Sequence, residues 1–391
     1  MIETNFKHTD IGLIPHDWEV KKLGENASIY RGGSPRPIEA YITNSPEGVN
    51  WLKIGDVSPT DKYFTHCAEK ITPLGTACSR QVHKGDFILS NSMSFGRPYI
   101  LKIDGCIHDG WLVIQDYTTS FNMEYLYYVL SSDTIKAQYV SMAAGSSVQN
   151  LNKDKVACVQ IATPPTLDEQ EKIASALSKI DQLINDLGAL IEKKKAIKQG
   201  TMQDLLTAKR RLKGFTGEWN SVKLGDLLEY RQPTKYLVSS KEYTTQGVPV
   251  LTAGKTFILG YTQENWGLYD DLPVIIFDDF VVESKYVTMP FKVKSSAIKM
   301  LSLREKENDL RFIFEKMQCI EFPIADHKRH WISEYSQLEI TIPEPNEQRA
   351  IANILSSMDT EITNLEQKRD KYIAIKQGMM QNLLTGKIRL I

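Results

Sequence analysis

Ala196-Ile-Lys-Gln-Gly-Thr-Met-Gln-Asp-Leu-Leu-Thr207 returns almost letter for letter as Ala374-Ile-Lys-Gln-Gly-Met-Met-Gln-Asn-Leu-Leu-Thr385. The match extends on both sides without a gap. Thr163–Leu212 aligns on Thr341–Leu390 at a constant offset of 178, and 25 of the 50 positions are identical. A repeat of this length changes every later inference, because it makes the architecture a duplication. A fainter echo precedes each copy. Gly12-Leu-Ile-Pro-His-Asp-Trp18 leads to Leu23-Gly24 and Tyr30-Arg31, and Gly214-Phe-Thr-Gly-Glu-Trp219 leads to Leu224-Gly225 and Tyr230-Arg231. Between these signals the halves diverge.

Each shared segment reads as one long helix. Ile173, Leu177, Ile180, Ile184, Leu187 and Ile191 are spaced 4, 3, 4, 3, 4, and Ile351, Leu355, Met358, Ile362 and Leu365 repeat the pattern. That is the apolar seam of a coiled coil at period 3.5. Thr166 followed by Glu169 is a capping box, and Pro164-Pro165 blocks extension upstream, as Pro343 and Pro345 do in the second copy. A helix from Thr166 to about Leu206 is roughly 60 Å long. Gly200 and Gly378 mark a bend or a close helix contact. Two equal stripes in one chain favour antiparallel packing on each other; a dimerisation coil with another chain is the other reading.

The segments between the helices carry short apolar runs broken by Gly, Pro and Asp. In the first these are Val49–Ile54, Asp86–Leu89 and Gly110–Ile114, followed by a helix over Met123–Ala137. In the second they are Val248–Thr252, Leu272–Phe277 and Tyr286–Met289, with a helix from Asp309 to Glu315. No regular βαβ alternation is present, so the class is α+β. The division is 1–162, a first mixed α/β domain; 163–213, a first spacer helix; 214–340, a second domain; and 341–391, a second spacer helix. Internal pseudo-two-fold symmetry follows.

The chain has 391 residues, 47 Lys+Arg against 48 Asp+Glu, and a net charge of −1. The four segments carry −2, +3, −3 and +1, so a nucleic-acid face has to be a local patch. Hydrophobic residues are 42% and charged residues 24%, ordinary globular values. No apolar run reaches about 18 residues, so no membrane span is expected. Five cysteines without a Cys-x-x-Cys pair, and no signal-peptide pattern at the start, point to free thiols and a cytoplasmic location.

Polar and basic loops supply candidate contacts. Arg31, Ser34 and Arg36 lie in a glycine-rich turn. Ser90, Asn91, Ser92 and Arg97 flank a strand end, and Ser146, Gln149 and Asn150 follow the helical stretch. In the second domain the candidates are Arg231, Lys235, Lys255, Lys285 and the cluster Lys328, Arg329, His330, Trp331. Arginine and amide side chains read base edges bidentately, whereas Ser, Lys and backbone N–H groups suit phosphates. Any single polar turn is more often just solvated.

No catalytic constellation is found. The P-loop, the dinucleotide turn and the nucleophile elbow are missing. His327 and His330 lack the partners of a metal site. Asp270 or Asp271 with Glu283-Ser-Lys285 approximates a loose nuclease pattern, but such acidic residues more often punctuate a hairpin.

The ordered set resembles the DNA-specificity (S) subunits of type I restriction–modification systems. The resemblance rests on Ile14-Pro15, Trp18 and Leu23-Gly24 with the echo Trp219 and Leu224-Gly225. It rests more heavily on Pro164-Pro165, Glu169-Gln170 and Ile173-Ala174 against Pro343, Pro345, Glu347-Gln348 and Ile351-Ala352. The Lys-Gln-Gly and Leu-Leu-Thr blocks close both copies. Gly247-Val-Pro-Val-Leu-Thr-Ala-Gly-Lys255 and Val274-Ile-Ile-Phe-Asp-Asp279 resemble one type of recognition domain of that family.

The resemblance implies two target-recognition domains, each reading half of an asymmetric double-stranded DNA site, with the helices as spacer. It implies a chain without catalytic activity that docks two modification (M) subunits, which methylate adenine with S-adenosylmethionine. Restriction (R) subunits then cleave unmodified DNA using ATP and Mg. No cofactor is expected in this chain itself.

Overall fold

A computed structural model describes residues 5–91, 96–143, 151–240, 242–254, 256–323 and 330–390. It divides into two compact units, Met1–Leu187 with Lys368–Ile391, and Gly188–Gln367. Each unit therefore holds one of the two mixed α/β domains, half of one long helix and half of the other.

In the first unit, Trp18 leads into β1 (Glu19–Lys22), and β2 is Ser28–Arg31. Strands β3 (Phe87–Ser90), β4 (Pro98–Leu101) and β5 (Trp111–Gln115) join β2 in an antiparallel sheet of order β2-β5-β3-β4, which Tyr63–Phe64 extends at the edge. Phe87–Ser90, Pro98–Leu101 and Trp111–Ile114 are buried on both faces, which is why they read as continuous apolar runs rather than alternating ones. A second five-stranded sheet contains Val49–Leu52 and Gly105–Ile107.

The helical stretch expected over Met123–Ala137 is two helices, α1 (Met123–Ser131) and α2 (Asp133–Ala143). Ser132 breaks them: it turns extended at ψ 154°, and its hydroxyl accepts from Ile135 N at 3.4 Å. Serine competes with the helix ladder in this way, so an apolar pattern alone misses the break. Strand β6 (Gln160–Thr163) pairs antiparallel with β1, Thr163 opposite Glu19, and runs into α3 (Leu167–Leu206).

The second unit repeats this plan. Strands β7 (Asn220–Lys223), β8 (Leu228–Arg231), β9 (Val274–Asp278), β10 (Ser284–Val287) and β11 (Ile298–Leu303) precede α4 (Leu310–Gln318), β12 (Glu339–Ile342) and α5 (Pro345–Leu383). The sheet order is β8-β11-β9-β10, and β7 pairs with β12. The sheets differ in accessory strands but share the central four-stranded arrangement.

The helix repeat is a repeat of contacts. In the first unit Arg389 binds Glu169 through Nε and Nη2 at 2.5 and 2.8 Å and lies over the Trp18 ring at 5.6 Å. In the second, Arg211 binds Glu347 with two 2.7 Å bonds and lies over Trp219 at 5.8 Å. Lys376–Asp181 and Lys198–Asp359 are both 2.6 Å pairs. Residue numbers rise along α3 as they fall along α5, so within each unit the two helices run antiparallel.

Gln170 and Gln348 have matching tasks. Gln170 Oε1 accepts from the backbone N–H of Asn122, the N-cap of α1, at 2.8 Å; Gln348 Oε1 accepts from Asp309, the N-cap of α4, at 2.9 Å. The Glu-Gln pair thus ties each long helix both to its antiparallel neighbour and to the domain it carries. The capping box is only half formed. Thr166 Oγ1 accepts from Glu169 N at 3.2 Å, but the Glu169 carboxylate goes to Arg389. An arginine offers a stronger, bidentate partner than the cap backbone N–H.

Of the apolar stripe, Ile173, Leu177, Ile180, Leu187, Ile191, Ile351, Leu355 and Ile362 are buried, and Ile184, Met358 and Leu365 are half-buried. Ile173 and Leu177 pack with Tyr125, Leu126, Leu383 and Leu384 in the core of the first domain, and Ile351 and Leu355 sit likewise in the second. The first turns of the stripe therefore belong to the domain cores as well as to the helix pairing. A Cβ at Gly200 or Gly378 would meet nothing within 4 Å, so no close helix contact explains these glycines, and both helices continue through them. All five cysteines are free thiols. Among the described residues no helix is long and apolar enough to cross a membrane.

Candidate nucleic-acid interface

In the first domain the candidate residues meet on one backbone turn. Asp109, just before β5, accepts on its carbonyl from Arg31 Nε at 3.2 Å and from Asn91 Nδ2 at 3.0 Å. Its carboxylate accepts from Ser34 Oγ at 3.0 Å and Arg36 Nη2 at 3.2 Å. Burial pushes the Asp109 carboxyl up, but the hydrogen bonds from Ser34 and Arg36 outweigh it and hold it below the ordinary range. Arg31, Ser34, Arg36 and Asn91 are thus organised by one residue that the loop motifs did not single out. Arg36 is 82% exposed and free to leave for a phosphate or a base. Arg80 lies over the Tyr30 ring at 4.5 Å. Beside this cluster a cleft of about 630 Å³ is lined by Ser34, Arg36, Trp51, Lys53 and His108. Burial lowers the His108 pKa, so the imidazole is neutral near pH 7.

Asn91 also fixes the backbone. Its N–H donates to Gly110 O at 3.1 Å, and its carbonyl accepts from Leu151 N at 2.9 Å. Gly96 N donates back to Ser90 O at 2.9 Å, with Gly96 at φ +73°. Ser90 is fully buried, so its side chain supports the loop from beneath. Arg97 is exposed. Ser92, Ser146, Gln149 and Asn150 lie outside the described residues.

The second domain has the same backbone bonds with different residues. Asp279 N donates to Ala297 O at 3.0 Å, Asp279 O accepts from His330 N at 3.0 Å, and Val282 N donates to Asp278 O at 2.9 Å. Asp279 therefore takes the place of Asn91, His330 that of Leu151, and Val282 that of Gly96. Val282 is at φ +58°, a left-handed conformation that costs a β-branched residue about 1–3 kcal/mol.

Beneath the hairpin, Lys299 and Asp279 form an ion pair at 3.5 Å with both side chains 1% exposed. Lys299 also donates to Gln232 Oε1 at 3.0 Å, and Asp279 Oδ1 accepts from Trp331 N at 2.9 Å. Three loops are joined by this one pair. The sequence signal for it was a lone lysine inside the apolar strand Ile298-Lys-Met-Leu301. Arg231 is exposed, pairs with Asp271 at 3.3 Å and lies over Tyr269 at 5.7 Å.

Other candidates are placed differently. Lys235 is exposed on a short 3-10 turn, and Lys285 is half-buried on β10. Trp331 is a core residue, 2% exposed, against Phe277 at 5.2 Å and Tyr335 at 6.0 Å. His330 is equally buried and pairs with Glu334 at 3.2 Å. Direct base contact by these two is therefore corrected to a supporting place under the loops; their aromatic bulk is used by the core. Lys255, Lys328 and Arg329 lie outside the described residues, as does His327. Among the described residues no group of three or more His, Cys, Asp or Glu side chains could hold a metal ion.

A family model described as type I restriction modification DNA specificity domain matches residues 15–199 and 216–374. The chain is 40% identical to the type I restriction enzyme EcoR124I/EcoR124II specificity subunit of Escherichia coli over 211 residues, which is 48% of this chain and 52% of that one. It is 26% identical to a putative type I restriction enzyme MjaX specificity subunit of Methanocaldococcus jannaschii across 99% of this chain and 97% of the other. The first match thus spans about half of its relative and the second nearly all. The crystal structure of a type I restriction–modification S subunit from M. genitalium has the same fold, with a TM-score of 0.63 at 14% identity over 98% of this chain and 97% of that one. The chain belongs to the type I restriction modification DNA specificity family.

Proposed function

We propose that the chain is the DNA-recognition subunit of a type I restriction–modification complex. Each recognition domain reads one half of a bipartite, asymmetric double-stranded DNA site. Two modification subunits dock on the chain and methylate adenine, and restriction subunits cleave unmodified DNA. The chain directs these reactions and catalyses neither; S-adenosylmethionine, ATP and Mg belong to the partner subunits. The observation that carries this reading is the duplicated scaffold with divergent loops. The same four strands and the same backbone bonds present Arg31 and Arg36 over a buried Asn91 in one domain and Arg231 over a buried Lys299–Asp279 pair in the other. Two equal frames with unlike contact chemistry suit two unlike half-sites.

A base-resolution methylome of cells with and without this gene, modification subunit present in both, tests the reading. A split adenine-methylated motif that disappears with the gene is expected; an unchanged methylome defeats the proposal. Two variants test its parts. Deleting seven residues within Ile173–Ile191 keeps the apolar register and should alter the half-site spacing. Exchanging residues 15–162 for another recognition domain should change one half-site only. The nuclease pattern around Glu283 and Lys285 gains no support: Glu283 O accepts from Asp278 N at 2.8 Å, as a hairpin closure does.

A further inference from the structure

The turn between β9 and β10 carries Phe280 and Val281, 36% and 47% exposed, side by side. Its backbone is held firmly. Asp278 Oδ1 accepts from Phe280 N at 2.9 Å and from Val281 N at 3.2 Å. Asp279, the next residue, is the buried anion that Lys299 binds. Val282 completes the turn in a left-handed conformation where the first domain has Gly96. A strained, β-branched corner, a two-residue Asp cap and a buried ion pair all serve to present two apolar side chains to the outside. Strain of this kind persists where the surroundings over-determine it, and it gathers at ligand contacts.

The neighbours indicate the ligand. Lys299 bridges Asp279 to Gln232, whose chain neighbour Arg231 is an exposed cation. An apolar pair and a guanidinium thus flank the same buried ion pair. On duplex DNA the guanidinium suits a phosphate or a guanine edge. The apolar group that base edges offer in the major groove is the thymine C5-methyl. We propose that Phe280 and Val281 are specificity-determining residues of the second domain, contacting the C5-methyl group of a thymine in its half-site. This rests on the reading of the chain as a DNA-recognition subunit.

The test uses the full chain assembled with its modification subunits, and duplexes carrying the motif that the methylome reveals. Deoxyuridine, which lacks the methyl group, replaces thymidine at each second-half position in turn. At one position the substitution should weaken binding by roughly three- to tenfold. The same substitution should cost nothing in the Phe280→Ala/Val281→Ala variant, whose methylome should loosen at that position alone. The near-isosteric Val281→Thr supplies the same comparison if the double variant fails to assemble. The proposal is overturned if no second-half position responds, if wild type and variant respond equally, or if the variants lose the modification subunits with base preference intact. Absence of any split motif in the wild type defeats the parent reading instead.

Discussion

The two recognition domains solve one geometric problem with opposite chemistry. Both must turn the chain sharply after the third central strand and hold a second loop against that turn. The first domain uses a neutral amide, Asn91, and a glycine corner, Gly96. The second uses a buried ion pair, Asp279–Lys299, and a valine corner, Val282. The backbone bonds are the same, so the difference lies in what the frame tolerates. The first arrangement avoids buried charge and strain. The second retains both.

The largest test of this contrast removes one charge. Lys299→Met should destabilise the second unit by about 3–5 kcal/mol, because it leaves Asp279 buried and unpaired. Adding Asp279→Asn, the side chain of the first domain, should restore most of that loss. Denaturant unfolding of single and double variants reads both, and equal destabilisation by the two would break the correspondence between the domains. Next is Gly96→Ala. Its Cβ would sit 2.6 Å from the Tyr139 ring at φ +73°, so a loss of about 1–3 kcal/mol is expected in the same assay. The reverse change, Val282→Gly, should be neutral or gain up to about 1 kcal/mol, because relief of the corner is offset by glycine's freedom in the unfolded chain; a clear loss would show that the corner is not strained.

A pH comparison separates the units more gently. Arg389 also binds Asp17 at 2.8 and 3.0 Å, whereas Arg211 has the Gly217 carbonyl in addition to its glutamate. The hydrogen bond from Arg389 holds the Asp17 carboxyl below the ordinary range. A depressed carboxylate contributes stability above its unfolded pKa and loses it as pH falls through the folded value. Asp17→Asn should therefore flatten the acid limb of the stability profile below about pH 4. A profile identical to wild type there would remove Asp17 from the first unit's ledger.

Part of this architecture is legible in the sequence. The helix stripe and the apolar runs Asp86–Leu89 and Leu272–Phe277 follow from periodicity, and Arg31, Ser34, Arg36 and Asn91 are legible as members of polar loops, but not that these loops meet. What stayed hidden depends on distant partners. Asp109 is an unremarked aspartate in sequence, yet it gathers four contacts from two segments. Glu169 read as a local cap, but an arginine 220 residues away took its carboxylate. Trp331 and His330 have the composition of a contact cluster, but both are buried: Trp331 joins the core beside Phe277 and Tyr335, where an aromatic ring gains more from burial than from exposure, and His330 packs on Phe322.

The partition of the units has a consequence for synthesis. The second unit, Gly188–Gln367, is continuous, whereas the first needs Lys368–Ile391 to supply Leu383, Leu384 and Arg389. On the ribosome, the domain translated first is therefore the last to be closed. At about 5–20 residues per second, its Glu169 carboxylate waits roughly 10–40 s, and its Trp18 ring roughly 20–75 s, for the arginine that covers them. During that interval the open core of the first unit is the part of the nascent chain that chaperones have to shelter.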